Sequence, residues 1–254
     1  MVRCRVAACA SLRAGAETIG QWRKQTAVVG TEKMPLSFLK HAEDQTVLAL
    51  MTVRAALEQQ GWQGHSFAEW GVIAAPNLFG RISIAQTIQR YHQEGAWGVS
   101  PHLIPHQSLH AMSGTISQAL KIVGPNFGVN GGANAGPDAF LIAAAMMMDG
   151  RLPGIWIVLT GYESEWIPAP GGTNSVAPMC EAVALALTSE PPNSVGPSLT
   201  IGHVRDDRKQ DLAVLPELHL SLLTEELSSC SASAAGKWRL SDTHWLEFES
   251  EGRS

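Results

Sequence analysis

Charge is what this chain has least of. Only 16% of its 254 residues are Asp, Glu, Lys or Arg, and the formal net charge is −5, whereas roughly 25% is usual in soluble domains. No basic excess is available to follow a phosphate backbone or an anionic bilayer, so nucleic acid and membrane surfaces are excluded as partners. With so little charge to spread over an exterior, some apolar face is expected to be covered by another chain. Long apolar runs are also missing: no segment reaches the roughly 18 to 20 residues of a membrane span. Residues 1–9 have the look of a signal peptide, but the apolar run is too brief and Arg13 interrupts it. The protein is read as soluble and cytoplasmic. The four cysteines, Cys4, Cys9, Cys180 and Cys230, show neither paired nor metal-ligand spacing. They read as small buried hydrophobes in a reducing compartment.

What is present is a sequence long enough to bury a real core in one domain or two, with 45% hydrophobic residues. Residues 5–12 alternate weakly and predict a first strand, and 13–36 read as irregular. Phe38, Leu39, Ala42, Val47, Leu48, Met51, Ala55 and Leu57 recur at helical spacing, with Gly61 as the stop. A short apolar run at 70–75 has strand length. A helix is predicted over 82–92, closed by Gly95; Pro101 and Pro105 stiffen a loop; another helix covers 109–123. Strand 126–130, an elbow and an apolar helix over 137–148 come next, then buried strands at 155–160 and 183–188. Residues 198–204 offer one more strand, 206–210 a charged turn, 228–236 a small-residue linker, and 238–248 an edge strand. Strands separated by helices predict an α/β sheet with crossover connections.

The most informative stretch is 124–136, GPNFGVNGGANAG. A short strand runs into a glycine-rich elbow and then a helix, which aims one residue into a pocket where helix N–H groups can hold an oxyanion. This passage resembles the nucleophile turn of the β-ketoacyl synthases, condensing enzymes of the thiolase superfamily, where Gly-Pro and a short strand lead to Thr-Ala-Cys. Laid over that pattern, the nucleophilic cysteine falls on Ala133, flanked by Gly132 and Asn134 as the relic elbow. A methyl group cannot attack a thioester. Three further pieces follow the family's order: the long helix in 35–61, the loop Ser100-Pro101-His102-Leu103-Ile104-Pro105, and the strand 181–187. The resemblance covers roughly residues 2–204.

It implies an α/β fold: a single thiolase-like half, with a mixed five-stranded sheet covered by helices and a short extra C-terminal segment. Residues 1–204 would form the synthase-like domain and 205–254 a divergent extension packing on it. Full synthases have two such halves, and the second brings two histidines and a lysine. Only the region after 204 can hold equivalents here, and it offers His219 and His244 without the family's glycine-rich surroundings. Helix 137–148 has no polar residue after Asp138, so it is read as buried all round, its outer side covered by the C-terminal tail. The ending, Glu251-Gly252-Arg253-Ser254, fits a short protein better than a fragment.

Other constellations have plainer readings. His102, His106 and His110 recur every fourth residue, but Pro105 interrupts any helix that would present all three, and no acid completes a shell. They read as polar loop residues near an interface, and no metal or cofactor is expected. Gly128, Gly131, Gly132 and Gly136 match neither GxGxxG nor GxxxxGK[ST], and a close backbone approach explains them better. Ser113-Gly114 lies in a helix without GxSxG. Glu17, Glu43, Asp44 and Glu58 read as scattered, solvated acids. Trp156 and Trp166 read as core or rim aromatics.

The resemblance implies a non-catalytic, chain-length-factor-type subunit of a type II polyketide, aryl polyene or fatty-acid-like pathway. It would form a heterodimer with a full-length β-ketoacyl-ACP synthase and meet acyl carrier protein through that partner. Family members pair the strand before the elbow, here 126–130, across a two-fold axis. His110, Met112, Asn126, Phe127 and Val129 are then expected at the tunnel or interface. The alternatives are a malonyl-ACP decarboxylase or acyltransferase remnant, or a homodimeric acyl-binding protein.

Overall fold

The computed structural model describes residues 1–25, 28–29, 32–35, 37–101, 103–129, 132, 134–163, 179–189, 197–204, 212–228 and 236–249. Its centre is strand β1 (Val2–Gly15), in which Cys4, Val6, Ala8 and Ala10 are buried at every second position. On one side β1 pairs antiparallel with β7 (Met179–Ser189), from Cys4 opposite Ser189 to Gly15 opposite Met179. Beyond β7 come β6 (Gly154–Tyr162), then β4 (Gly71–Pro76) and β5 (Asn126–Gly128); β6 is antiparallel to β7, while β4, β5 and β6 run parallel. Two short strands, β2 (Val28–Val29) and β3 (Glu32–Lys33), form a separate ribbon.

The main sheet has eight strands, not five, in the order β5-β4-β6-β7-β1-β8-β10-β9. Five of them, β5-β4-β6-β7-β1, make up one side of the row. The other three are added on the edge of β1 opposite β7, where Val2–Arg5 is open to pairing. Strand β8 (Ser198–His203) pairs with that edge, β10 (His244–Glu249) pairs with β8, and β9 (Gly236–Arg239) closes the row. In β10 Leu246 and Phe248 are buried and their neighbours are not, so the alternation read as one edge strand belongs to an inner strand with β9 outside it.

Both faces of the sheet are covered, which is why its strands read as near-continuous apolar runs. Trp156 and Val158 of β6 join one core, and Ile155, Ile157 and Leu159 join the other. On the first face lie α1 (Ala16–Lys24), α2 (Asp44–Gln59) and α5 (His110–Leu120). Helix α2 sits between its neighbours and is buried continuously from Gln45 to Val53. Helix α1 falls inside the stretch predicted as irregular. On the second face lie α6 (Ala135–Met147) and α7 (Leu220–Ser228).

Helix α6 buries Ala139, Phe140, Ala143, Ala144 and Met147 against β4 and β6. Its outer side is not covered as expected: Leu141, Ile142 and Met146 are half-buried, and Ala145 and Met148 are exposed. The reason is placement. Helix α7 packs beside α6 on β1, β6 and β7 instead of across it.

Helix α3 (Arg81–Glu94), a 3-10 turn at Gly95–Gly98 and α4 (Leu103–Gln107) form an arm between β4 and α5, exposing Ile84, Ile88, Tyr91 and Trp97. Positive φ at Leu78 and Gly80 turns the chain into it.

Candidate functional site

The C-terminal ends of β4 and β6 meet the N-terminus of α6 at the predicted elbow. Strand β5 reaches it in three residues, and Val129 N–H donates to the Ala74 carbonyl at 2.8 Å. Two close approaches fix this local path. A Cβ at Gly128 would lie 2.1 Å from the Leu109 carbonyl oxygen, and one at Gly124 would lie 2.2 Å from that of Trp70. The strand is therefore clamped against the start of α5 and the base of β4. On the far side, the Gly132 carbonyl accepts from Ala135 N–H at 3.0 Å, and that of Asn134 accepts from Asp138 N–H at 2.9 Å, opening α6. Ala133 lies outside the described residues, as do 130 and 131.

Under this elbow is a cavity of about 100 Å³, lined among others by Ala75, Asn77, Gly132, Pro137, Thr160 and His219. That volume suits a few water molecules and falls short of the roughly 300–1,000 Å³ of small-molecule sites. The tail narrows it: Leu218, His219, Leu220 and Leu223 form one wall, with Leu220 against Gly161. Of the two tail histidines noted in the sequence, His219 reaches this cavity. His244 instead faces His203 across β10 and β8, ring centroids 4.9 Å apart. Burial first, and then His203, pushes His244 below the ordinary imidazole range. The buried Asn77 Oδ1 has no hydrogen-bond partner among the described residues.

A polar relay leads from this cavity through the sheet. Thr160 Oγ1 donates to Gln45 Oε1 at 2.7 Å, and Gln45 Nε2 donates to the Asn77 carbonyl at 3.0 Å. Gln45 follows Glu43 and Asp44 at the start of α2. These acids, read from the sequence as solvated, line a second cleft of about 410 Å³ on the opposite face. Asp44 is paired with Arg23. Glu43 caps α2, accepting from Gln45 N–H at 2.5 Å, and Tyr162 Oη donates to its other oxygen at 3.4 Å. Burial pushes the Glu43 carboxyl up to about 7, with help from neighbouring Asp44 and against the Gln45 hydrogen bond. Cys180 borders this second cleft, not the elbow cavity, and burial raises its thiol out of the reactive range. Helical periodicity could not have found this site, because it joins residues from α1, α2, α3, α4, β6 and β7.

The other residues named from the sequence are dispersed. His110 opens α5 on the surface, its Nδ1 3.4 Å from Ser113 Oγ. Met112 is fully buried in the first core, its sulfur 3.9 Å from Thr160 Oγ1. Asn126 donates to Ser117 Oγ at 2.8 Å, and Val129 is buried. Phe127 is 46% exposed on β5, an outermost strand of the sheet. Trp156 is a core residue beside Phe67 and Trp70, whereas Trp166 and Cys230 lie outside the described residues. His106 sits beside His41, ring centroids 5.8 Å apart, and His102 is not described. Among the described residues there is no group of three or more His, Cys, Asp or Glu able to hold a metal ion. No described helix is long and apolar enough to cross a membrane.

No family model matches the chain. Among solved structures it is similar to a chain of the ketosynthase ApeO in complex with its chain length factor ApeC from Xenorhabdus doucetiae. The two are 13% identical with a TM-score of 0.58, over 98% of this chain and 100% of that one. It is similar to a chain of AntDE:AntF, a type II polyketide synthase acyl-carrier protein in complex with its ketosynthase bound to the hexaketide, at 12% identity and TM-score 0.62, again over 98% and 100%. A β-ketoacyl synthase from Burkholderia phymatum STM815 matches at 12% identity and TM-score 0.57, over 92% of this chain and 72% of its own. At such identities the likeness establishes the fold alone, which is the one seen in these ketosynthase structures.

Proposed function

We propose that this chain is a non-catalytic ketosynthase-like subunit that pairs with an active β-ketoacyl-ACP synthase and shapes its acyl tunnel. One observation carries the reading: laid over the nucleophile turn of the β-ketoacyl synthases, the sequence has Ala133 at the position of the nucleophilic cysteine. The small cavity beneath that turn supports it, since about 100 Å³ narrowed by Leu218, Leu220 and Leu223 is little room for an acyl chain at the elbow. Among the described residues, the neighbours of that cavity include no acid–base pair: His219 is one imidazole, and His244 lies away from it against His203 of β8.

The surface through which a synthase would bind is the β5 edge. Phe127 is half-exposed there, and the clamp at Gly128 brings Leu109, 39% exposed, and His110 against the same strand. Pairing this edge with its counterpart would satisfy open backbone groups and cover apolar side chains together. The carrier protein would then deliver acyl groups to the partner's cysteine, and this chain would supply wall and length limit.

A second reading, a malonyl-ACP decarboxylase remnant, is favoured only by His219 in the cavity wall. Co-expression with a full-length ketosynthase of the same genome tests both. The subunit reading expects a one-to-one complex, and it fails if the chain is monodisperse alone and captures no synthase. Carbon dioxide release from malonyl carrier protein by the isolated chain would favour the remnant.

A further inference from the structure

The cleft of about 410 Å³ on the face opposite the elbow has no part in the reading above. It opens where the arm meets the body. Ile19 and Ala42 give it an apolar floor from α1 and the approach to α2; Glu43 and Tyr162 give it hydrogen-bonding groups; Gln86 and Gln107 face them from α3 and α4. The arm's side is held in place by Ser83 Oγ, which donates to Gln107 Oε1 at 2.7 Å and lies 3.0 Å from the Gly80 carbonyl. Its size falls within the roughly 300–1,000 Å³ of small-molecule sites, which favour junctions between substructures.

The wall chemistry narrows the ligand. Arg23, the cation among the described residues of the cleft, has its charge matched by Asp44 and donates to the Ala42 carbonyl at 3.1 Å, so no net positive charge is left to draw an anion. The groups left to contact a ligand are neutral hydrogen bonders: two primary amides, a phenol, and the Glu43 carboxyl, which holds its proton up to about 7. A protonated carboxyl is a strong donor in need of an acceptor. Charged or titratable groups facing Glu43 are Arg23 from α1, Asp44 from α2, Tyr162 from β6 and Cys180 from β7. Burial keeps both the phenol and the thiol neutral at physiological pH.

We propose that this cleft is a second ligand site, taking an uncharged carbonyl compound such as a short-chain amide or ester, with Glu43 donating to the carbonyl and Ile19 and Ala42 holding the chain. The site is independent of the subunit reading, and its test needs no synthase. Hexanamide, hexanoate and hexylammonium are titrated into the full chain by calorimetry, with saturation-transfer NMR to confirm contact. Hexanamide is expected to bind, and the two ions to bind at least tenfold more weakly.

Because binding uses the protonated carboxyl, hexanamide affinity should fall about tenfold between pH 6 and pH 8 in the wild type. Glu43→Gln should keep binding at pH 6 and lose that slope. Ala16→Phe, at the rim on an exposed position of α1, should abolish binding without unfolding the chain. No saturable hexanamide binding, a preference for hexylammonium, a flat wild-type pH profile, or undiminished binding in a folded Ala16→Phe would each overturn the proposal.

Discussion

Replacing Glu43 by glutamine should stabilise the fold above neutral pH and leave it unchanged in acid. The folded carboxyl is raised from 4.5 to about 7, chiefly by burial. Below about pH 4.5 it is neutral in both folded and unfolded chains. Between 4.5 and 7 the unfolded chain releases the proton while the folded chain retains it, so stability falls as pH rises and levels off above about 7. The interval of 2.5 units, at 1.36 kcal/mol each, sets a ceiling of roughly 3 kcal/mol. Partial exposure of the side chain reduces it to about 1–2 kcal/mol. Glutamine keeps an acceptor oxygen for that bond and has no proton to lose. Urea titrations of both proteins at pH 5 and pH 8 measure the effect through the denaturation midpoint. Parallel profiles would show that Glu43 is ordinarily solvated, and the buried-acid description of the cleft would fall.

Gly128→Ala should disrupt the clamp between β5 and α5, because its Cβ would meet backbone rather than a movable side chain. A loss of about 2–3 kcal/mol or more is expected, with amide exchange accelerating first near Leu109 and Val129. Phe140→Ala empties the buried centre of α6 and should cost about 3–5 kcal/mol in a urea titration. Phe127→Asp is expected to leave the midpoint within about 0.5 kcal/mol, since the ring is half-exposed, yet to weaken synthase capture at least tenfold. Equal capture would move the interface away from β5.

Much of the first sheet was legible because strand and helix periods differ and the segments are long. The run 155–160 emerged within two residues of β6 at either end, and the helix stop at Gly61 fell two residues past Gln59. The three added strands were not legible as one sheet, since pairing to the N-terminal edge of β1 is a non-local event without a local signature. Helix α1 was hidden by Gly20 and by a short, polar composition. The exposed flank of α6 shows the limit of composition: an apolar helix reads as buried all round, yet only its Phe140 stripe meets the sheet. At the site, a strand leading into a helix, β5 and then α6, was legible from the sequence around the glycines. The Glu43 cleft was not, because the side chains that make it are gathered from six elements and none carries a motif.

Intact-mass spectrometry after incubation with acyl carrier protein loaded with a thioester, in the presence and absence of the co-expressed ketosynthase, tests the central claim most directly. Acyl mass should appear on the synthase alone, with this chain unmodified in every mixture and the product length distribution shifting when it is omitted. An acyl adduct on this chain, or identical products from a synthase working without it, would contradict the account.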